Sequence, residues 1–80
     1  MDIKLVVLSP ERELLSVGAD RVELPGAMGR FVVLKDHAPL ISSLVAGEIL
    51  YSCGDERGSV AVSSGFVRVK DNVVTACVEL

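Results

Sequence analysis

Turn-forming residues divide this chain of 80 residues into short segments, and that spacing limits its fold more than any other feature. The segments between the breaks hold roughly four to eight residues, which is the length of strands and too short for most helices. The breaks are Ser9–Pro10, Gly18, Pro25–Gly26, Gly29, Pro39, Gly47, Gly54, Gly58, Gly65 and residues 70–72. The chain is therefore expected to be built from strands.

Polar and apolar residues alternate in several of these segments. DRVEL at 20–24 alternates, and VAVSS and GFVRVK do the same further along the chain. Alternation with a period of two is typical of a half-buried strand, because successive side chains point to opposite faces. The inward positions predicted by this pattern are Val60, Val62, Val67 and Val69.

Tight turns are predicted at three places. CGDERGS at 53–59 reads as a hairpin turn, with Gly54, Asp55 and Gly58 accepting turn dihedrals, and KDN at 70–72 reads as a second. SPERELL at 9–15 begins with Ser and Pro, which are typical of a helix start. Val17 and Gly18 would end a helix early, so a turn that enters a strand is favoured.

Many short strands joined by tight turns are typical of an all-β sandwich or barrel. Half of the residues are apolar and mostly Val, Leu, Ile and Ala, a composition that suits sheets. The sequence therefore predicts one domain over residues 1–80, folded as a compact β-sandwich of about eight to ten short strands.

The last segment, VVTACVEL, is apolar on both of its alternating faces. Val73 and Cys77 lie on one face, while Val74, Ala76 and Val78 lie on the other. Either the strand belongs to a sheet covered on both sides, or one face is kept for a partner.

Charge and composition exclude several classes of function. The net charge is −3, and the eight basic residues are scattered, so no nucleic-acid footprint is expected and no direct binding to anionic membranes. Cys53 and Cys77 have no metal-type spacing and are interpreted as semi-buried thiols in a reducing compartment. No signal peptide or membrane-spanning run is predicted, so the protein is expected to be cytosolic or attached to a membrane through partners.

Three candidate sites are each outweighed by a structural interpretation. Asp36, His37, Ser42 and Ser43 invite a catalytic triad, but neighbours on one short loop rarely reach that geometry. The paired carboxylates at 55–56 are expected to form a solvated turn tip. The G-x-x-G spacing at 26–29 lacks the basic surroundings of a nucleic-acid clamp and is interpreted as a glycine-shaped turn.

Lys35, next to Asp36, provides a fourth candidate. The pair is similar to the modified lysine at the hairpin tip of lipoyl and biotinyl carrier domains, which are also small and all-β. The apolar residues before and after it, FVVL and APL, favour a packed corner over an exposed tip. A carrier domain modified at Lys35 is the alternative hypothesis.

The central stretch, ELPGAMGRFVVLKDHAPLISSLVAGEI, resembles the signature of the epsilon subunit of F-type ATP synthases, in its N-terminal β-sandwich domain. LVVLSPER and VAVSSGFVRVKDNVVTACVEL resemble the opening and closing strands of that domain, so the likeness spans nearly the whole chain. The matching positions are Leu24, Pro25, Gly26, Gly29, Phe31 to Leu34, His37 to Leu40 and Gly47.

The chain departs from the family pattern at Val32, Lys35 and Ser64, where relatives often carry Gly, Pro and Gly. Lost glycines remove backbone options, so local turns are expected to differ. Relatives also carry a C-terminal helical hairpin that can inhibit ATP hydrolysis. If residues 1–80 are the whole product, that inhibition is not expected here.

The resemblance implies a non-catalytic subunit of the central rotor stalk, which docks the gamma subunit onto the c ring and couples rotation to ATP synthesis. It implies no catalytic residue, cofactor, metal or homo-oligomer, and a peripheral position on the cytoplasmic side of a bacterial inner membrane. The implied c-ring-facing loop holds Met28, Arg30 and Phe31. The implied gamma-facing residues are Ser9, His37, Ala38, Pro39, Leu40 and Ser42.

Overall fold

The computed structural model describes residues 2–80, and every regular element in that range is a strand. The nine strands confirm the prediction of an all-β domain of short strands. They are β1 Ile3–Leu8, β2 Glu13–Ala19, β3 Arg21–Gly26, β4 Gly29–Val33, β5 Leu40–Leu44, β6 Gly47–Cys53, β7 Glu56–Val62, β8 Ser64–Lys70 and β9 Val73–Glu79.

The strands form one curled sheet that folds over into two layers. The first layer has the order β2-β1-β9-β8-β5, and the second has the order β4-β3-β6-β7. The layers meet where Gly26 of β3 pairs with Leu44 of β5, which is the single bridge between those strands. β1 and β9 pair in parallel, whereas all the other pairs are antiparallel.

Aliphatic side chains from both layers fill the interior. Fifteen hydrophobic residues are buried, with Leu5, Leu24 and Ile49 among the largest that are fully enclosed. No polar or charged residue in the described range is buried, so the core carries no desolvation cost for unpaired polar groups. Burial of aliphatic side chains between the pleated strands therefore holds the layers together.

The alternation seen in the sequence is present in the strands. Val62, Val67 and Val69 are buried, and Val60 is half-buried against the core. In β9, Val74, Ala76 and Val78 point inward, while Val73, Thr75 and Cys77 lie on the outer face. These positions confirm the two faces predicted for VVTACVEL.

The hairpin turns are shorter than the sequence pattern indicates. The turn between β6 and β7 contains only Gly54 and Asp55, and the positive φ of Gly54 at its first central position is typical of a type II′ turn. Asp71 and Asn72, both at positive φ, form the turn between β8 and β9, as a type I′ turn requires.

Two predicted breaks lie inside strands instead. Gly58 belongs to β7, opposite Tyr51 of β6, and the Tyr51 ring covers the space that a side chain at Gly58 would need. Gly18 lies in β2, paired with Lys4. The segment from Ser9 to Arg12 is a turn that enters β2, as predicted, with the Ser9 amide donating to the Arg12 carbonyl at 2.8 Å.

The three departures from the family pattern cause no backbone strain. Among residues 2–80, the non-glycine residues with positive φ are Asp36, Asp71 and Asn72, so Val32 and Ser64 have ordinary backbone angles. Lys35 and Ser64 are also exposed. These positions do not need the conformational freedom of glycine in this chain.

Candidate docking interface

The β3–β4 hairpin places its two-residue tip, Ala27 and Met28, at the end of the molecule where the layers meet. Met28 is 99% exposed. The tip is fixed from below, because the Ala27 amide donates to the Ser43 carbonyl and the Val45 amide donates to the Pro25 carbonyl, both at 2.9 Å. The exposed methionine therefore projects from a rigid base.

Arg30 of the same hairpin is bound within the chain. Its Nε donates to the Glu23 carboxylate at 2.6 Å, and its terminal nitrogen donates to the Glu48 carbonyl at 2.8 Å. Arg21 contacts the other Glu23 oxygen at 3.2 Å. The second layer thus supplies Arg30 with both an acidic partner and a backbone carbonyl.

Phe31, the third residue of the predicted c-ring-facing loop, is half-buried against the core. Its ring packs on Gly26, where an added Cβ would lie 2.9 Å from two ring carbons. Of the three predicted residues, Met28 therefore projects freely, whereas Arg30 and Phe31 fix the hairpin to the sandwich. Val45, which is 47% exposed, adds apolar surface beside the tip.

The ion pair of Arg30 with Glu23 makes the stability of the second layer sensitive to acid. The hydrogen bond from Arg30 holds the pKa of Glu23 below its ordinary value of 4.5. A carboxylate with a lowered folded-state pKa contributes stability above 4.5 and loses it as pH falls through the folded value.

We expect the Glu23→Gln variant to be less stable than the wild type at neutral pH and to approach it in acid. Urea unfolding at a series of pH values measures the difference. Glu48→Gln is the control, because Arg30 contacts the backbone carbonyl of Glu48 and not its carboxylate. A wild-type advantage over Glu23→Gln that did not shrink as the pH was lowered below 4.5 would contradict the expectation.

The segment between β4 and β5 contains the predicted gamma-facing loop. Leu34 to His37 form a tight turn closed by the His37 amide and the Leu34 carbonyl at 3.2 Å, with Asp36 at φ 62°. Ala38 and Pro39 are exposed, and His37 and Leu40 are half-buried. Nδ1 of His37 lies 2.7 Å from the Ala38 carbonyl oxygen.

These contacts do not form a triad. Ser42 donates its hydroxyl to the Ser43 carbonyl at 3.0 Å, His37 contacts a neighbouring carbonyl, and Asp36 pairs with Asn72. No hydrogen bond links the histidine to either serine among residues 2–80. Nucleophile activation requires that link, so the loop offers a contact surface and not a reaction centre.

Lys35 is exposed in the same turn, between β4 and β5. These two strands do not pair with each other: β4 pairs with β3, and β5 pairs with β8 and β3. Lys35 therefore lies in a connection between strands of different layers, whereas the lysine of a carrier domain lies at a hairpin tip.

The predicted gamma-facing residues lie at two ends of the first layer. Ser9 follows β1 at the end where Leu8 pairs with Cys77, whereas His37 precedes β5 at the end where Leu40 pairs with Val69. Ser42 lies between the ends but points inward, half-buried. Residues 37–40 therefore lie together at one end of the first layer, whereas Ser9 lies at the other.

The outer face of the first layer runs between these ends and exposes apolar side chains beside polar ones such as Arg68. Its most exposed apolar members are Ile41, at 76%, and Phe66, at 53%. Phe66, Leu8 and Cys77 also line a shallow groove of about 360 Å³ beside Pro10. Within residues 2–80 nothing covers this face. It matches the second of the two interpretations of β9, a face kept for a partner.

The sequence did contain a signal for Phe66. The alternation that places Val67 and Val69 inside also places Phe66 outside, on the same side as Arg68. Ile41 could not be found in this way, because LISSL has no regular alternation of polar and apolar residues. Its exposure depends on the pairing of β5 with β8 at the edge of the layer.

The described residues hold no group of three or more His, Cys, Asp or Glu side chains arranged to bind a metal ion. The two cysteines are free thiols, half-buried in β6 and β9. No helix long and apolar enough to cross a membrane occurs in residues 2–80.

Comparisons with known proteins agree with this geometry. Residues 2–79 match the family described as the ATP synthase Delta/Epsilon chain, beta-sandwich domain. The ATP synthase epsilon chain of Desulfitobacterium hafniense (strain DSM 10664 / DCB-2) is 46% identical over 71 residues, which cover 89% of this chain and 54% of that protein. The epsilon chain of Geobacter metallireducens is 38% identical over 77 residues, covering 96% and 56%.

The fold has solved counterparts as well. A chain in the cryo-EM structure of the Euglena gracilis mitochondrial ATP synthase superposes with a TM-score of 0.89 at 21% identity, over 96% of this chain and 50% of that one. At this identity the likeness concerns the fold. This chain spans little more than half the length of the curated relatives named above. From its sequence match along residues 2–79, the chain belongs to the family of ATP synthase delta/epsilon chain β-sandwich domains.

Proposed function

We propose that this domain is a non-catalytic part of the central stalk of a proton-translocating F-type ATP synthase, where it docks the gamma subunit onto the c ring. The outer face of the first layer carries the proposal, because it exposes Phe66 and Ile41 and has Ser9 and the His37 loop at its opposite ends. A domain of this size with a core of its own has no need of such a face for folding.

Gamma lies across this outer face in the proposal. Phe66 supplies exposed apolar area toward the Ser9 end of the face, and Ile41 supplies it toward the end that the His37 loop borders. Interfaces between stable partners place aromatic and aliphatic side chains at the centre and polar groups at the rim. The ring of Phe66, with the groove beside it, is the expected anchor.

The c ring contacts the hairpin tip in the proposal. Met28 is the outermost side chain there, and Val45 extends the apolar surface beside it. Two backbone hydrogen bonds and the Arg30 contacts fix the hairpin to the sandwich. A fixed hairpin transmits force without bending, which is what coupling of ring rotation to the shaft requires.

The proposed location is the cytoplasmic side of a bacterial inner membrane, reached through the complex. The test is purification of ATP synthase from the source membranes, followed by intact-mass analysis of its subunits. A subunit that contains this sequence is expected in the complex together with gamma, without a prosthetic group. Its absence from the complex would overturn the proposal, and a lipoyl or biotinyl mass increase on Lys35 would establish the carrier alternative.

Replacing His37 with alanine is expected to weaken binding of the chain to purified gamma roughly fivefold, which corresponds to about 1 kcal/mol. The imidazole is half-exposed, and its hydrogen bond is to the carbonyl of its neighbour, so the fold should be unaffected. Isothermal titration measures the affinity. Lys35→Ala, in the same turn, is the control, and equal affinities for wild type and His37→Ala would exclude a role for this side chain.

A further inference from the structure

The loop from Leu34 to Pro39 is attached to the rest of the chain by very few polar contacts. Within residues 2–80, the loop makes two hydrogen bonds to other segments, and both involve Asn72. The Asp36 amide donates to Oδ1 of Asn72 at 2.6 Å, and Nδ2 of Asn72 donates to the Asp36 carboxylate at 3.1 Å. We call this reciprocal pair the Asp36–Asn72 clasp.

Asn72 is well placed to act as an anchor because its own backbone is held on the first layer. Its carbonyl accepts the Lys4 amide at 2.9 Å, which ties the β8–β9 turn to β1. The positive φ values of Asp36 (62°) and Asn72 (63°) are set by two separate turns. The turns meet although the residues are 36 positions apart in sequence.

The rest of the loop lacks comparable restraint. His37 and Ala38 make hydrogen bonds within the loop, and Ala38 and Pro39 are exposed. A binding loop that is free before docking must be ordered on binding, at a cost of affinity. The clasp removes part of that cost by fixing the backbone at Asp36, directly before His37.

We propose that Asn72 is a positioning residue for docking, and that the clasp holds the His37 loop in its gamma-binding conformation. This inference rests on the proposed function, because it takes gamma as the partner of the loop. It assigns a role in docking to a turn residue that lies outside the predicted interface.

Asn72→Gly tests the clasp directly. Glycine accepts the positive φ and keeps the backbone bond to Lys4 while removing both clasp bonds. Asp71→Gly is the matched control, since Asp71 is in the same turn, at φ 51°, and makes no bond to the loop. Hydrogen exchange followed by NMR should show the Asp36 amide exchanging at least about tenfold faster in Asn72→Gly, and unchanged in Asp71→Gly.

Titration of the same proteins with purified gamma completes the test. Asn72→Gly should bind about tenfold more weakly, and Asp71→Gly should bind like the wild type. Asn72→Asp is a second variant, which keeps a residue tolerant of positive φ but sets a carboxylate against that of Asp36. It should also bind more weakly, with global unfolding unchanged in all three variants.

The outcomes separate the two proposals. Unchanged exchange at Asp36 in Asn72→Gly would show that the clasp does not hold the loop. Faster exchange with unchanged affinity, or an equal loss in Asp71→Gly, would overturn the positioning role while leaving the proposed function intact. Failure of the wild-type chain to bind gamma, with Asp36 protected as expected, would overturn the proposed function and this inference with it.

Discussion

Replacing Gly65 with alanine is expected to destabilise the domain by about 3 kcal/mol, the largest effect of any single substitution considered for this chain. Gly65 is the second residue of β8 and has φ 153°, a backbone conformation that side-chain-bearing residues rarely adopt. An added Cβ would also press into the Cys77 carbonyl oxygen and lie 2.9 Å from the Cα of Val78. These are backbone atoms of β9, so no side-chain rotation can relieve the clash.

Urea denaturation of the two proteins measures this difference, with Gly54→Ala as the control. Gly54 also has a positive φ, at 60°, but nothing lies within 4 Å of its added Cβ. The control should therefore lose only the conformational term, about 1 kcal/mol. If Gly65→Ala were no worse than Gly54→Ala, the packing of β8 on β9 would not depend on this glycine.

Replacing Phe66 with glutamate is expected to reduce the affinity for gamma at least about thirtyfold, corresponding to about 2 kcal/mol. Phe66 is the aromatic member of the exposed outer face and lies between Ser43 and Cys77 in neighbouring strands. A carboxylate there would have to be desolvated against an apolar partner surface. Because the ring is 53% exposed, the fold should tolerate the change.

The matched control is Leu50→Glu on the outer face of the second layer. Leu50 is 37% exposed and lies between Glu23 and Ser59 of adjacent strands. Both variants add the same charge to a strand. The carboxylate at position 50 also lies opposite Glu23, so urea denaturation first establishes that both proteins are folded under the conditions of the titration. If Phe66→Glu and Leu50→Glu bound gamma equally well, the first layer would not be the docking face. A loss of affinity confined to Phe66→Glu would support docking on the first layer.

Much of the fold could be predicted from the sequence because the information is local. The breaks at Ser9–Pro10, at Gly54 and at Asp71–Asn72 do delimit strands. Alternation assigned Val62, Val67 and Val69 to the interior correctly. A two-residue turn and a period of two depend only on neighbouring residues, so they can be read without knowing what the strands pack against.

Gly58 shows where local reasoning was wrong. Its neighbours Asp55 and Glu56 indicate a turn, yet it lies in β7, paired with Tyr51, and its missing side chain leaves room for the Tyr51 ring. Arg30 and Phe31 show the same limit at the candidate site. Their positions on the hairpin can be predicted, but not their engagement by Glu23 and Gly26.

The sequence alone therefore determined the strand content, most of the turns and, through the HAPL loop and its flanking glycines, the family. The tertiary structure decided which predicted interface residues are available to a partner. It also placed Ser9 and His37 at opposite ends of the first layer and joined Asp36 to Asn72. The physical reason is that hydrophobic alternation fixes which face of a strand is buried, whereas contacts between distant segments depend on strand order and register, which local patterns do not encode.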